Sequence, residues 1–106
     1  MKRAMISQPM SGKSTMEILE TRDRAVKWLN ENGYKVEDTL FDGVHGEEEM
    51  AKMGIKNSRV YHLGVTIQEM SKCDAVYFCR GWDKAKGCQA EHFIAKSFEL
   101  QVIYES

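Results

Sequence analysis

Proline is nearly absent from this chain: Pro9 is the only one among 106 residues. No stretch therefore reads as a proline-rich linker, and no internal repeat or low-complexity segment divides the sequence. There is no apolar run of about 18 residues, which argues against a transmembrane helix. The start, Met1-Lys2-Arg3-Ala4-Met5-Ile6, carries a basic pair but too short an apolar run for a signal peptide. Charge of either sign is not in excess, since the formal net charge is −1. Without a basic run there is no electrostatic case for a nucleic-acid or membrane partner. Cysteine is scarce too: Cys73, Cys79 and Cys88 are odd in number and form no CxxC pair. Free thiols in a reducing, cytoplasmic compartment are the expectation.

What is present fits one domain spanning residues 1–106, with 42% hydrophobic and 29% charged residues. Arg3 to Ser7 reads as a first strand, followed by a loop over 7–13, where Pro9 and Gly12 interrupt regular structure. Ser14 and Glu17 form a Ser-x-x-Glu capping box. Ile18, Ala25, Val26 and Leu29 then recur at helical spacing until Asn32-Gly33 stops the helix. Tyr34 to Glu37 is a polar strand suited to a sheet edge. Residues 38–57 are the least readable, with Gly43 and Gly46 suggesting loop and Glu47 to Met53 a short helix. A helix runs from Ser58 to about Lys72, with Val60, Leu63, Ile67 and Met70 on one face. Met50, Met53 and Met70 read as core fillers. Asp74 to Cys79 is a buried central strand. Arg80 to Lys86 is loop, a last helix opens at Gly87 or Cys88 and ends near Phe98, and Gln101 to Tyr104 is the final strand.

This alternation predicts an α/β, Rossmann- or flavodoxin-like three-layer sandwich. Its short, mostly parallel four-stranded sheet takes the order 2-1-3-4. Ligands of such sheets bind beyond the carboxyl ends of the strands, which selects the loops 7–13 and 80–87.

Three constellations could carry chemistry. Ser7 to Ser14 nearly spells a phosphate-binding loop, but Ser7 stands where the first glycine belongs and Pro9 removes a backbone N–H. Two readings remain open there: a loop and helix N-terminus that accept an anion or sugar hydroxyl, or a tight turn before a capped helix. The second is Arg80 to His92. Gly87 permits close backbone approach, and Glu91 is expected in the first helical turn, where the dipole favours an ionised, nucleophilic carboxylate. Trp82 and Asp83 add a stacking face and a second carboxylate. The plainer alternative is a solvated glutamate that merely suits the dipole. The third, Cys88 with His92 one turn on, supplies two metal ligands, which do not make a site.

Taken together, Ile6-Ser7-Gln8-Pro9-Met10-Ser11-Gly12, Asp74-Ala75-Val76-Tyr77-Phe78 and Gly87-Cys88-Gln89-Ala90-Glu91 resemble the nucleoside 2-deoxyribosyltransferase superfamily, especially its small bacterial and phage members. The resemblance covers nearly the whole chain. It implies that Gly87 and Glu91 match the Gly-x-x-x-Glu turn presenting the nucleophile. It implies that Ser7, Gln8, Pro9, Met10, Ser11 and Gly12 line the sugar and phosphate pocket. Asp83 would match the acidic residue that helps activate the substrate, and Trp82 could stack on the base. No cofactor and no metal is implied. The partner would be a small nucleoside or nucleotide, and the assembly a homodimer or larger homo-oligomer.

Two positions depart from the family pattern. Residues 3–7 hold no tyrosine to touch the nucleophile, and Thr66 stands where many members have aspartate. The implied activity is cleavage of an N-glycosidic bond by 2-deoxyribosyl transfer or hydrolysis, with Glu91 attacking the anomeric carbon. The rival is a nucleotide- or nucleoside-binding module without catalysis.

Overall fold

The computed structural model describes residues 1–37 and 46–106. The loop expected at Gly43, and His45 with it, lie outside the described residues. The described chain runs β1 (Lys2–Ser7), α1 (Thr15–Glu31), β2 (Tyr34–Glu37), α2 (Glu47–Lys52), α3 (Ser58–Met70), β3 (Ala75–Phe78), a 3-10 turn (Trp82–Lys84), α4 (Lys86–Ser97) and β4 (Gln101–Tyr104). The sheet order is β2-β1-β3-β4, and every neighbouring pair is parallel. The expected 2-1-3-4 order therefore holds, with a wholly parallel sheet. No helix among the described residues is long and apolar enough to cross a membrane.

The alternation of side chains along a strand builds two cores, one on each face. Ala4 and Ile6 of β1 join Ala75, Tyr77 and Cys79 and pack against Ala25 and Leu29 of α1. Met5, Val76 and Phe78 face the other way and pack with Met70, Cys73 and Ala95. Helix α1 thus covers one face. The other is covered by α4 and the C-terminal end of α3. The β3 run Ala75 to Phe78 is buried throughout, as a central parallel strand between two helical layers must be. The edge strand β2 is only half-buried, which its Lys35 and Glu37 allow.

Local signals explain the element ends. Ser14 and Glu17 make both halves of the capping box that starts α1. After the helix, Gly33 takes φ of +85°, a backbone conformation that side-chain-bearing residues seldom adopt. Asn57 caps α3 by accepting from the Val60 backbone N–H. The acidic run Glu47-Glu48-Glu49 begins α2, where carboxylates suit the helix dipole.

Two helical expectations need correction. Met53 is 55% exposed rather than a core filler, because α2 ends at Lys52 and only Met50 turns inward. Val60 is 63% exposed, although it shares a periodic face with Leu63, Ile67 and Met70. Among α3 residues only Met70 is fully buried, so the apolar face of the helix's N-terminal half borders a cleft instead of the core.

Candidate functional site

The β-strand alternation that builds the cores also places Ser7. It is the last residue of β1 and follows Met5 on the α4 face. On α4, Cys88, Glu91 and Ala95 are the buried residues, spaced so that one stripe of the helix faces the sheet. Glu91 therefore sits in a stripe that should be apolar. Its burial follows from that position and brings it against the end of β1.

The contact is a hydrogen bond: the Ser7 hydroxyl donates to Glu91 Oε1 at 2.6 Å. Ser7 is 1% exposed and Glu91 9%. A carboxylate left with little water is disfavoured against its protonated form. Burial pushes the Glu91 carboxyl up from 4.5 to about 7, with the Ser7 hydrogen bond acting in the opposite direction. Burial likewise raises the neighbouring Cys88 thiol, again with Ser7 pulling it down.

This corrects the electrostatic expectation for Glu91. Helix α4 starts at Lys86, and its first turn contains no acidic residue. Glu91 lies in the second turn, beyond the strongest field of the helix end. It is neither a solvated glutamate nor one held ionised by the dipole. Its proton equilibrium is centred near neutrality, so the ionised and protonated forms are both accessible there.

Glu91 opens onto a cleft of about 870 Å³ beyond the carboxyl ends of β1 and β3. Gln8, Pro9, Met10 and Ser11 line it from the loop after β1, Lys84 and Ala85 from the turn before α4, and Lys86 to Cys88 from the start of α4. Helix α3 supplies the third wall, including Arg59, His62 and Thr66. Glu91 is the only acidic residue lining it among the described residues, whereas Arg59, Lys84 and Lys86 bring cationic groups to its edge. A cleft at the strand ends of a parallel sheet is where ligands of this architecture bind.

The sequence-selected residues divide into three sets. Gln8, Pro9, Met10, Ser11, Gly87 and Glu91 meet in the cleft, with Ser7 beneath them as the partner of Glu91. Gly12 does not line it. Gly12 takes φ of +78° in a turn in which the Lys13 N–H donates to Met10 O, so this part of the loop is a tight turn leading to the capped helix. Trp82 and Asp83 also stand outside it. The Trp82 ring stacks on His92 at 4.0 Å between centroids and packs on Phe78, which leaves it committed to the α4 face of the core. Asp83 is exposed in the 3-10 turn, and its backbone carbonyl accepts from Gln89 Nε2. Both residues belong to the short 3-10 turn that follows Gly81 (φ +87°).

Cys88 and His92 do not converge. Cys88 is buried beside Ser7 and Glu91, whereas His92 Nε2 lies 2.7 Å from the Tyr104 hydroxyl. No group of three His, Cys, Asp or Glu side chains suited to a metal ion occurs among the described residues.

No motif in the sequence marks His62 or the Ser7–Glu91 bond as part of this cleft. The bond was accessible from the pattern: Met5 and Ser7 share a face of β1, and Cys88, Glu91 and Ala95 share a face of α4. His62 gave no such signal, because a lone histidine on an amphipathic helix has no diagnostic spacing.

Residues 2–104 match the model of a family described as a domain of unknown function, DUF4406, and the chain belongs to that family. No curated protein and no solved structure matches the chain.

Proposed function

We propose that this DUF4406 chain breaks the N-glycosidic bond of a nucleoside or nucleotide, transferring the 2-deoxyribosyl group or hydrolysing it, with Glu91 as nucleophile. The observation that carries this reading is the buried Glu91 carboxyl, fixed by Ser7 at 2.6 Å, at the floor of a cleft beyond the strand ends. A nucleophilic carboxylate must be positioned and only weakly hydrated, and one hydrogen bond in a buried setting meets both needs. Many members of the superfamily that the sequence resembles have a first-strand tyrosine that touches the nucleophile. Here the first strand offers a serine hydroxyl to the same kind of carboxylate.

In the proposed reaction ionised Glu91 attacks the anomeric carbon, and the base departs with the electron pair of the C–N bond. Water or a second base then opens the glycosyl ester. Gln8 to Ser11 would hold the sugar, and the cationic edge of Arg59, Lys84 and Lys86 favours a substrate carrying a phosphate. Asp83, exposed and outside the cleft, has no part in this scheme.

The test is incubation with deoxynucleosides and their monophosphates, followed by chromatography for free or exchanged base. Wild type should release base, with the monophosphates preferred, and Glu91→Gln should not. Equal release by the two proteins would rule Glu91 out as nucleophile. A second reading, a binding module without turnover, is favoured by one observation. Thr66 occupies the position of an expected aspartate, and its hydroxyl donates to His62 O at 3.1 Å, offering the cleft no carboxyl. That reading expects calorimetric binding of the same ligands, retained in Glu91→Gln, and no release.

A further inference from the structure

A departing base needs a proton, and Glu91 cannot supply it while acting as the nucleophile. No second carboxylate lines the cleft among the described residues. Thr66 cannot replace one, since a hydroxyl is no acid near neutrality and this one already donates to a backbone carbonyl. One turn earlier on the same helix stands His62, which also lines the cleft. Its Nε2 is buried and has no hydrogen-bond partner among the described residues. Buried ring nitrogens are rarely left so, and an unpartnered one in a cleft wall points to a ligand atom as its partner.

Gln8 gives an independent sign that this cleft is built for a polar ligand. Its Nε2 donates to Ile18 O at 2.6 Å, which fixes the orientation of the carboxamide. The other end, Oε1, is buried without a partner among the described residues, and Gln8 lines the same cleft. Two residues lining the cleft thus each hold a buried polar atom without a partner among the described residues.

We propose that His62 is the general acid of the Glu91 reaction, protonating the leaving base through Nε2. The proposal rests on the glycosyl-transfer reading of the cleft. The other protic groups there are poorly suited. Ammonium and guanidinium groups as classes release protons reluctantly near neutrality, whereas imidazole exchanges them readily. The Cys88 thiol is buried and pushed up.

The step balances. The Glu91 carboxylate forms the ester to the anomeric carbon as the C–N bond breaks. The C–N electron pair stays on the base nitrogen, and the His62 imidazolium gives that nitrogen its Nε2 proton. Neutral His62 then takes a proton from the water, or from the N–H of the incoming base, that opens the ester. The charge of the pair is restored at the end of the cycle.

Leaving-group dependence separates an acid from a structural residue. Two substrates are compared: a purine deoxynucleoside monophosphate, whose base needs a proton, and a nitrophenyl 2-deoxyriboside phosphate, whose phenolate leaves without one. His62→Gln should lower kcat on the purine substrate about 10²- to 10⁴-fold and leave the nitrophenyl substrate within about threefold, with little change in KM. His62→Asn should repeat this pattern, and a thermal melt of each variant identifies any that fails to fold. An equal loss on both substrates in two folded variants, or no loss on either, overturns the role of His62. Glu91→Gln should lose both substrates. If Glu91→Gln keeps turnover, the nucleophile reading falls instead. If wild type turns over neither substrate, both fall.

Discussion

The two faces of the sheet are built from alternating residues of the same strands, yet they end differently. On the α1 face the apolar set continues through Ile6 and Tyr77 to Cys79, closed by Ala25 and Leu29. On the α4 face it stops at Met5 and Phe78, and the next position of β1 is Ser7, bonded to Glu91. One face is finished as core. The other exchanges its last apolar contact for a buried carboxyl that opens on a cleft. The difference teaches that a closed apolar core and a buried titratable carboxyl are separated by a strand's two faces rather than by separate parts of the chain.

The largest effect should come from Glu91→Gln. Gln keeps the side chain's size but cannot form the glycosyl ester, so base release should fall by about 10³-fold or more with the fold intact. Leu29→Ala is the control on the opposite face. Truncating a fully buried leucine should cost about 2–5 kcal/mol in denaturant unfolding, while kcat per folded molecule stays near wild type. A loss of kcat in Leu29→Ala without loss of stability would break the separation of the faces.

The pH dependence of stability comes next. Glu91 titrates near 7 in the folded protein against 4.5 for an unburied glutamate, so the folded state holds its proton more tightly. The contribution is fully present below about pH 4.5 and is lost as pH rises through 7, with a limiting size on the order of 3 kcal/mol. Melting curves from pH 4.5 to 8 should show wild type losing stability that Glu91→Gln retains. On the nitrophenyl substrate, whose leaving group needs no proton, activity should run the other way, rising through a limb near pH 7 as Glu91 ionises.

Ser7→Ala should have a smaller effect. It removes a hydrogen bond to the ionised carboxyl, worth about 1.5–3 kcal/mol, and should move the activity limb to higher pH. A limb that stays in place would show that Ser7 does not act on Glu91. The smallest effect is expected for Asp83→Asn, an exposed change outside the cleft, which should alter kcat by no more than about twofold.

Much of the architecture was legible in the residues. The Ser14–Glu17 box, the stop at Gly33, the apolar Ala75–Phe78 run and the β-α alternation each state a local rule that the fold obeys. The site was half legible. The strand-end rule selects Glu91 and the loop from Ser7 to Ser11, and these residues come together around one cleft. The environment of Glu91 differs from the expectation, because α4 begins at Lys86, which puts Glu91 in the second turn, and because Glu91 shares the sheet-facing stripe of Cys88 and Ala95. Asp83 and Trp82 do not line the cleft but stand in the short turn after Gly81, a placement that residue types alone do not report. His62 emerged only when three elements closed around one cleft.

The most direct test is intact-protein mass spectrometry after reaction with a 2-fluoro-2-deoxyribosyl nucleotide, whose fluorine slows opening of a glycosyl ester. Wild type should gain one sugar phosphate, peptide mapping should place it on Glu91, and Glu91→Gln should gain nothing. Base release from this analogue with no adduct, or with an adduct at any other residue, would contradict nucleophilic attack by Glu91.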